Sequence, residues 1–201
     1  MLSQEAKKKL ALELYKIGVI KFGDFTFKSG IVSPMYVDLR ILVSYPKILK
    51  YITQEYVKIL KNLKFDRIAG IPYAAMPIAS AVSLEMQKPL IYRRKESKGY
   101  GTNKRIEGEY KKGETIAIID DLITKGDSKL ETMETFLAEG LKIEDFIVLL
   151  DYEKGGSEIL RKKGYRLYSA MTIAELIDNL YEAQAINGAT YKEVKKFLAQ
   201  K

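Results

Sequence analysis

The chain contains no cysteine and no histidine. Without cysteine it can form neither disulfides nor thiolate metal sites, and a reducing compartment such as the cytoplasm is its natural setting. Without histidine it has no Ser-His or Cys-His nucleophile pair, no imidazole acid or base and no imidazole metal ligand. Any chemistry then falls to carboxylates, lysine, arginine, tyrosine, hydroxyls and backbone amides. No stretch approaches the roughly 20 apolar residues of a membrane span, so no membrane partner is expected. The N-terminal run MLSQEAKKKLALELYKIG mixes acids with bases and has no long apolar core, which argues against a secretory leader. A phosphate loop of the form G-x-x-x-x-G-K followed by Ser or Thr is absent, and Gly99 with Gly101 supplies only two glycines of a dinucleotide fingerprint.

What is present is one core's worth of chain. A length of 201 residues favours a single domain over residues 1–201. The net charge of +8 is compatible with nucleic acid, an acidic surface or a polyanionic small substrate. Much of it is dispersed, because Lys7 to Lys9, Lys162 with Lys163 and Lys195 with Lys196 lie in separate amphipathic stretches, where solvated helix faces are the simpler reading.

Helical and extended patterns alternate along the chain. Leu10, Leu14 and Ile17 recur at helical spacing, as do Ile48, Ile52, Tyr56 and Ile59 in a stretch beginning near Pro46. Short apolar runs follow at 67–71, 88–93, 115–120, 145–151 and 165–170, with helical candidates at about 75–87, 128–140, 156–163, 172–182 and 190–199. This order predicts an α/β fold, a parallel sheet flanked by helices on both faces. Two regions depart from it. Residues 22–40 alternate apolar and polar residues around Lys28-Ser29-Gly30, which predicts a small antiparallel hood beside the sheet. Residues 94–114, rich in charge and without helical pattern, have the length and character of a functional loop.

The stretch TIAIIDDLITKGDSK, residues 115–129, concentrates the chemistry. Ligands of open α/β sheets bind beyond the C-terminal ends of the strands, so Asp120 and Asp121 should emerge at that rim. The following Thr124, Lys125, Gly126, Asp127 and Ser128 turn into a helix, and their N–H groups can form an anion nest reinforced by the helix N-terminus. Two acceptor carboxylates beside a donor-rich cradle complement a phosphorylated sugar, whose hydroxyls donate and whose phosphate accepts. Ser128 with Glu131 also has the spacing of a capping box, which needs no ligand.

IAIIDDLITKG resembles the ribose-phosphate signature of the type I phosphoribosyltransferases, and FKSGIVSPMYVDLR, GIPYAAMPIA, RRKESKGYGT and LLDYEKGG resemble successive blocks of the orotate phosphoribosyltransferase family, from about residue 20 to 180. The form resembled is the one fused to a decarboxylase in animals, and this chain is too short to include that second enzyme. The resemblance implies the type I phosphoribosyltransferase fold and a Mg²⁺-dependent reaction in pyrimidine (UMP) synthesis. Orotate and phosphoribosyl pyrophosphate (PRPP) would give orotidine 5′-phosphate and pyrophosphate. It matches Asp120 and Asp121 to the ribose hydroxyls and the segment Leu122, Ile123, Thr124, Lys125, Gly126, Asp127 and Ser128 to the 5′-phosphate side. Arg94, Lys95, Lys98 and Tyr100 fall on the pyrophosphate side, with Lys98 as the catalytic cation, and Tyr73 and Ala74 on the turn that approaches pyrophosphate. Lys28, Tyr36, Thr124 and Tyr152 fall on the orotate side. It also implies a homodimer in which the mobile loop, about 94–114, reaches the neighbouring subunit's site.

The residue types suit that reaction. An oxocarbenium-like sugar and a highly charged leaving group call for cations at the departing oxygens. Orotate offers its ring nitrogen without a strong protein base, so histidine is dispensable, and Mg²⁺ carried mainly by PRPP needs no direct protein ligand. Two alternatives remain. Tyr152, where the resemblance would place an arginine, suits a phosphoribosyltransferase for another base. A PRPP- or nucleotide-sensing regulator on the same fold would use the positive charge on DNA, but the roughly 20 residues before the hood are too few for a helix-turn-helix, so no nucleic-acid partner is expected.

Overall fold

The computed structural model describes residues 3–26, 30–94 and 105–200, with the side chains of Asp127 and Ser128 outside that description. Helix α1 (Gln4–Lys16) leads into a two-stranded antiparallel sheet of β1 (Ile20–Thr26) and β2 (Val32–Val37). A 3₁₀ turn (Leu39–Ser44) and α2 (Pro46–Leu60) follow. The main sheet comprises β3 (Arg67–Gly70), β4 (Leu90–Arg93), β5 (Ile106–Glu107), β6 (Thr115–Ile119), β7 (Leu122–Ile123), β8 (Lys142–Asp151) and β9 (Arg166–Thr172). Helices α3 (Met76–Met86), α4 (Asp127–Ala138) and α5 (Gly156–Lys162) lie between these strands, and α6 (Ile173–Glu182) and α7 (Gly188–Ala199) close the chain.

Strands β4, β3, β6, β8 and β9 pair in that order, each pair parallel. These are the five apolar runs of the sequence. The sheet is mixed at one edge, where β5 joins β4 antiparallel. Strand β5 lies within the charged connection 94–114, which therefore holds a short strand rather than irregular chain throughout. Strands buried on both faces read as continuous apolar runs, and the two cores show why. Ala117, Ile119, Ile147 and Leu149 pack into one cluster with α1, α2, α3, α6 and α7. Their neighbours Ile116, Ile118, Phe146 and Val148 pack into a second with Met133 and Phe136 of α4 and Leu160 of α5. Ile116, Ile118 and Ile119 are fully buried, each contributing about 1.5–3 kcal/mol by leaving water.

Local signals set the helix starts. Pro46 occupies the first turn of α2, where its missing N–H has no intrahelical role. Thr172 and Glu175 form a reciprocal capping box at α6. Helix α4 begins at Asp127 after Gly126, whose φ of 89° is left-handed, and Gly126 makes no side-chain cap bond. Residue 128 is therefore already inside the helix, and Glu131 instead pairs with Arg93 at 2.6 Å. Among the described residues, no helix is long and apolar enough to cross a membrane.

Candidate active site

The two acids sit where the ladder between β6 and β8 passes into that between β7 and β8. Ile119 is opposite Ile147 and Leu122 opposite Leu150, so the register is the same on both sides. The main chain continues the ladder through the acids: Asp120 N–H donates to Ile147 O at 3.0 Å and Leu149 N–H donates to Asp121 O at 3.0 Å. The pair is thus fixed by sheet hydrogen bonds rather than carried on a free loop. From α2, the fully buried Tyr56 donates its hydroxyl to Asp120 O at 2.7 Å.

The side chains have unlike surroundings. Asp120 is buried. Its Oδ1 accepts from Asp121 N–H at 2.8 Å and its Oδ2 from Lys129 Nζ at 2.7 Å. Asp121 is partly buried and its Oδ1 accepts from Leu122 N–H at 2.8 Å. Burial, and then the charge of Asp120, push the Asp121 carboxyl up to about 7. Burial followed by the charges of Asp121 and Tyr36 raises the Tyr152 phenol. Tyr152, directly after β8, therefore lies in electrostatic reach of Asp121 and the hood residue Tyr36. Asp151 is also buried and raised by desolvation, its Oδ1 accepting from Glu153 N–H at 2.8 Å.

A cavity of about 180 Å³ opens over the pair, lined by Ile71, Pro72, Tyr73, Ala74, Asp120, Asp121, Leu122, Thr124, Gly126 and Lys129. Its first wall is the turn after β3, which contains a cis peptide between Pro72 and Tyr73 and is tied to the acid strand by Ile71 N–H donating to Ile119 O at 3.1 Å. The opposite wall is the turn from β7 into α4. That turn rests on the start of α5, where Gly156 N–H donates to Thr124 O at 2.9 Å. The first amides of an α-helix have no intrahelical acceptor and carry partial positive charge, so α4 presents a donor-rich end beside two carboxylates. Chemically, the cavity can take hydroxyls on one side and an anion on the other.

Of the residues singled out from the sequence, the structure brings Tyr73, Ala74, Asp120, Asp121, Leu122, Thr124 and Gly126 together around this cavity. Ile123 is buried beneath it and Lys125 is exposed. Asp127 and Ser128 contribute the backbone that opens α4. Tyr36 lies on β2, its Oη accepting from Arg40 Nη2 at 3.0 Å. Arg94, just past β4, pairs with Glu107 at 3.1 Å. Lys28, Lys95, Lys98 and Tyr100 lie outside the described residues. Lys129 was not singled out. The available signal was its position four and seven residues before Met133 and Phe136 on the buried stripe of α4. Among the described residues no group of three or more Asp and Glu side chains is arranged to hold a metal, and the acid pair spends three of its oxygen contacts on Lys129 and backbone amides.

A family model, the Phosphoribosyl transferase domain, matches residues 42–183. The chain is 39% identical to Uridine 5'-monophosphate synthase of Bos taurus over 193 residues, covering 95% of this chain and 40% of that protein. It is 36% identical to Orotate phosphoribosyltransferase of Pyrobaculum aerophilum over 188 residues, covering 93% of this chain and 96% of that protein. Among solved structures it is similar to UMP synthase of Leishmania donovani, with a TM-score of 0.90 and 43% identity over 98% of this chain and 43% of that one. The chain therefore spans about two fifths of the length of the two synthases and nearly all of the Pyrobaculum protein.

Proposed function

Since the chain belongs to the phosphoribosyltransferases, in the orotate phosphoribosyltransferase family, we propose that it transfers the phosphoribosyl group of PRPP to orotate in pyrimidine synthesis. A ring nitrogen of orotate loses its proton to solvent or to the departing pyrophosphate and forms the new bond to the anomeric carbon of the ribose as the bond from that carbon to pyrophosphate breaks, and the electron pair leaves with pyrophosphate. The observation that carries this reading is the single cavity that joins the Pro72–Ala74 turn, the acid pair and the Thr124–Gly126 turn. A turn, an acid pair and a helix start around one cavity are the kinds of group that the pyrophosphate, ribose diol and 5′-phosphate of one substrate would need.

Each part has a chemical task. The acid pair faces the ribose hydroxyls. The amides of residues 124–128 and the α4 N-terminus hold the 5′-phosphate. Main-chain groups of Tyr73 and Ala74 approach pyrophosphate, and Arg94, Lys95, Lys98 and Tyr100 neutralise it as it departs, with Lys98 the principal donor. Lys28, Tyr36, Thr124 and Tyr152 enclose the base; the raised phenol of Tyr152 stays protonated and can donate a hydrogen bond. Mg²⁺ carried on PRPP would offset phosphate charge, with no direct ligand asked of the protein. The protein works as a homodimer in the cytoplasm, with the 94–114 segment of one protomer serving its partner's site.

The test is pyrophosphate release from PRPP and Mg²⁺ with orotate, uracil, adenine or hypoxanthine as acceptor. Orotate should be preferred over uracil by roughly tenfold or more, since a charge-assisted contact to its carboxylate is worth about 1.5–3 kcal/mol. Equal turnover of uracil, or release with a purine alone, overturns the assignment.

A further inference from the structure

Beside the acid pair, at the edge of the same cavity, sits a cation to which the reaction just described gives no task. Lys129, the third residue of α4, keeps only 3% of its side chain exposed. Lysine is almost never buried to this degree unless its charge is met, and here the partners are specific. Nζ donates to Asp120 Oδ2 at 2.7 Å and to Leu122 O at 2.6 Å. The second of these bonds joins α4 to the chain directly after the acids, so Lys129 grips the acid turn at two points. With Asp121 N–H on Oδ1, both oxygens of Asp120 are already bonded. The bond described to the Asp121 carboxylate uses Oδ1 alone; Asp120, Asp121 and Lys129 all line the cavity, and Asp121 is the less buried of the two acids.

On the reading that the cavity binds PRPP, we propose that Lys129 is a positioning residue: it holds Asp120 as a fixed, charge-compensated strut and leaves Asp121 as the carboxylate that receives the ribose hydroxyls. The neighbouring acids thereby acquire different tasks, one inside the protein and one toward substrate. Around the pair are Tyr56 from α2 and Lys129 from α4, with Tyr152 in electrostatic reach of Asp121 and of Tyr36 on β2, and Asp151 in reach of Lys129. Lys129 is the one cation among these. Its charge opposes the upward push that burial and Asp120 exert on Asp121. Removing it leaves adjacent carboxylates without compensation, so Asp121 should take up a proton at higher pH and bind the ribose diol less well in the neutral range.

The experiment compares wild type, Lys129→Met, Lys129→Arg and the charge-balanced double variant Asp120→Asn/Lys129→Met. Two readouts are taken from about pH 5.5 to about 8.5: the Asp121 carboxyl titration by carbon-13 NMR without ligand, and PRPP affinity by calorimetry at fixed salt and Mg²⁺. Lys129→Met should move the Asp121 midpoint up by about one pH unit and weaken PRPP binding about tenfold on the acid side, the deficit shrinking as pH rises. Lys129→Arg, which keeps the charge, and the double variant, which removes the like-charge neighbour, should keep the wild-type midpoint or lie below it. An unchanged midpoint in Lys129→Met, or an affinity loss equal at every pH, overturns the proposal. If Lys129→Met does not fold, the other two variants decide: an upward midpoint shift in the double variant, or in Lys129→Arg, overturns it. Absence of PRPP binding by wild type would defeat the substrate reading, while the ligand-free NMR titration still judges the effect of Lys129 on Asp121.

Discussion

Replacing Gly156 by alanine perturbs the candidate phosphate turn from below without altering any group proposed to face a ligand. A Cβ at Gly156 would fall well inside van der Waals contact of Thr124 O, and lie 2.6 Å from Ile123 Cγ1 and 2.8 Å from Ile123 Cδ1, where real contacts essentially never come under 3.0 Å. One obstacle is backbone and the other is a fully buried side chain, so neither can swing aside into solvent. The turn has to retreat, and the hydrogen bond from Gly156 N–H to Thr124 O stretches with it. Overpacking of this kind costs about 1–3 kcal/mol, which for a chain of this size lowers the melting temperature by about 2–4 °C per kcal/mol. The functional loss should be larger in proportion, because a misplacement of about 1 Å can cost about 10²-fold in rate. The expected result is PRPP affinity weakened by about 10-fold or more, measured by calorimetry, with a cooperative but lowered melt. Gly188→Ala is the control: its Cβ would meet nothing nearer than Tyr181 Oη at 3.9 Å, and surface changes of this kind stay within about 0.5 kcal/mol. Unchanged PRPP affinity and melting in Gly156→Ala would refute the claim that the start of α5 sets the shape of the turn.

The adjacent acids should respond to amide substitution with opposite signs. Asp121 is pushed up to about 7, so the folded state holds its proton more tightly than the unfolded chain, and stability is lost as pH rises from the ordinary carboxylate range through that value. Asp121→Asn should therefore melt higher than wild type at about pH 8 and no higher at about pH 4, a difference on the order of a few kcal/mol. Asp120→Asn strips the partner from a buried lysine and should destabilise by about 3–5 kcal/mol; equal melting shifts for the two variants would contradict this. Lys98→Ala should lower turnover about 100-fold with much less effect on PRPP affinity, since one donor to a departing anion is worth around 3 kcal/mol. Near-normal turnover would remove Lys98 from its role, and mixing this variant with Asp121→Asn should restore some activity if the segment acts across the dimer.

The parallel strands and their helices were legible because burial on both faces forces long apolar runs, as at Ile116–Ile119 and Phe146–Leu150. The acid pair was legible for the same reason, since two charges closing such a run mark where the strand reaches the rim. Strands β5 and β7 were not, because two residues carry no periodicity. The edge pairing of β5 is written in its neighbour β4 rather than in its own charged surroundings. Lys129 shows a different failure. A chain rich in lysine invites the assignment of each one to a solvated helix face, and that is right for exposed residues such as Lys9 and Lys163. On α4 it is wrong, since Lys129 shares its stripe with Met133 and Phe136, and only the positions of β6, β7 and α4 reveal that the stripe ends at a carboxylate.

That placement bears on an electrostatic difficulty in the proposed chemistry. A substrate carrying several phosphate charges has to settle beside two acids, and like charges in a partly desolvated cavity repel strongly. Were both carboxylates presented to the ligand, the site would oppose its own substrate. The Asp120–Lys129 pair offsets one charge at contact distance, leaving Asp121 as the carboxylate presented to the ribose. The polyanion would then meet one carboxylate rather than two at the ribose, a donor-rich helix end at Gly126–Asp127 and, in the proposed reaction, cations at the pyrophosphate. Ribose recognition in this arrangement relies on the geometry of hydrogen-bond acceptors fixed by the β8 ladder rather than on net charge. That is how a cavity floored by two aspartates can serve an anionic sugar without a histidine.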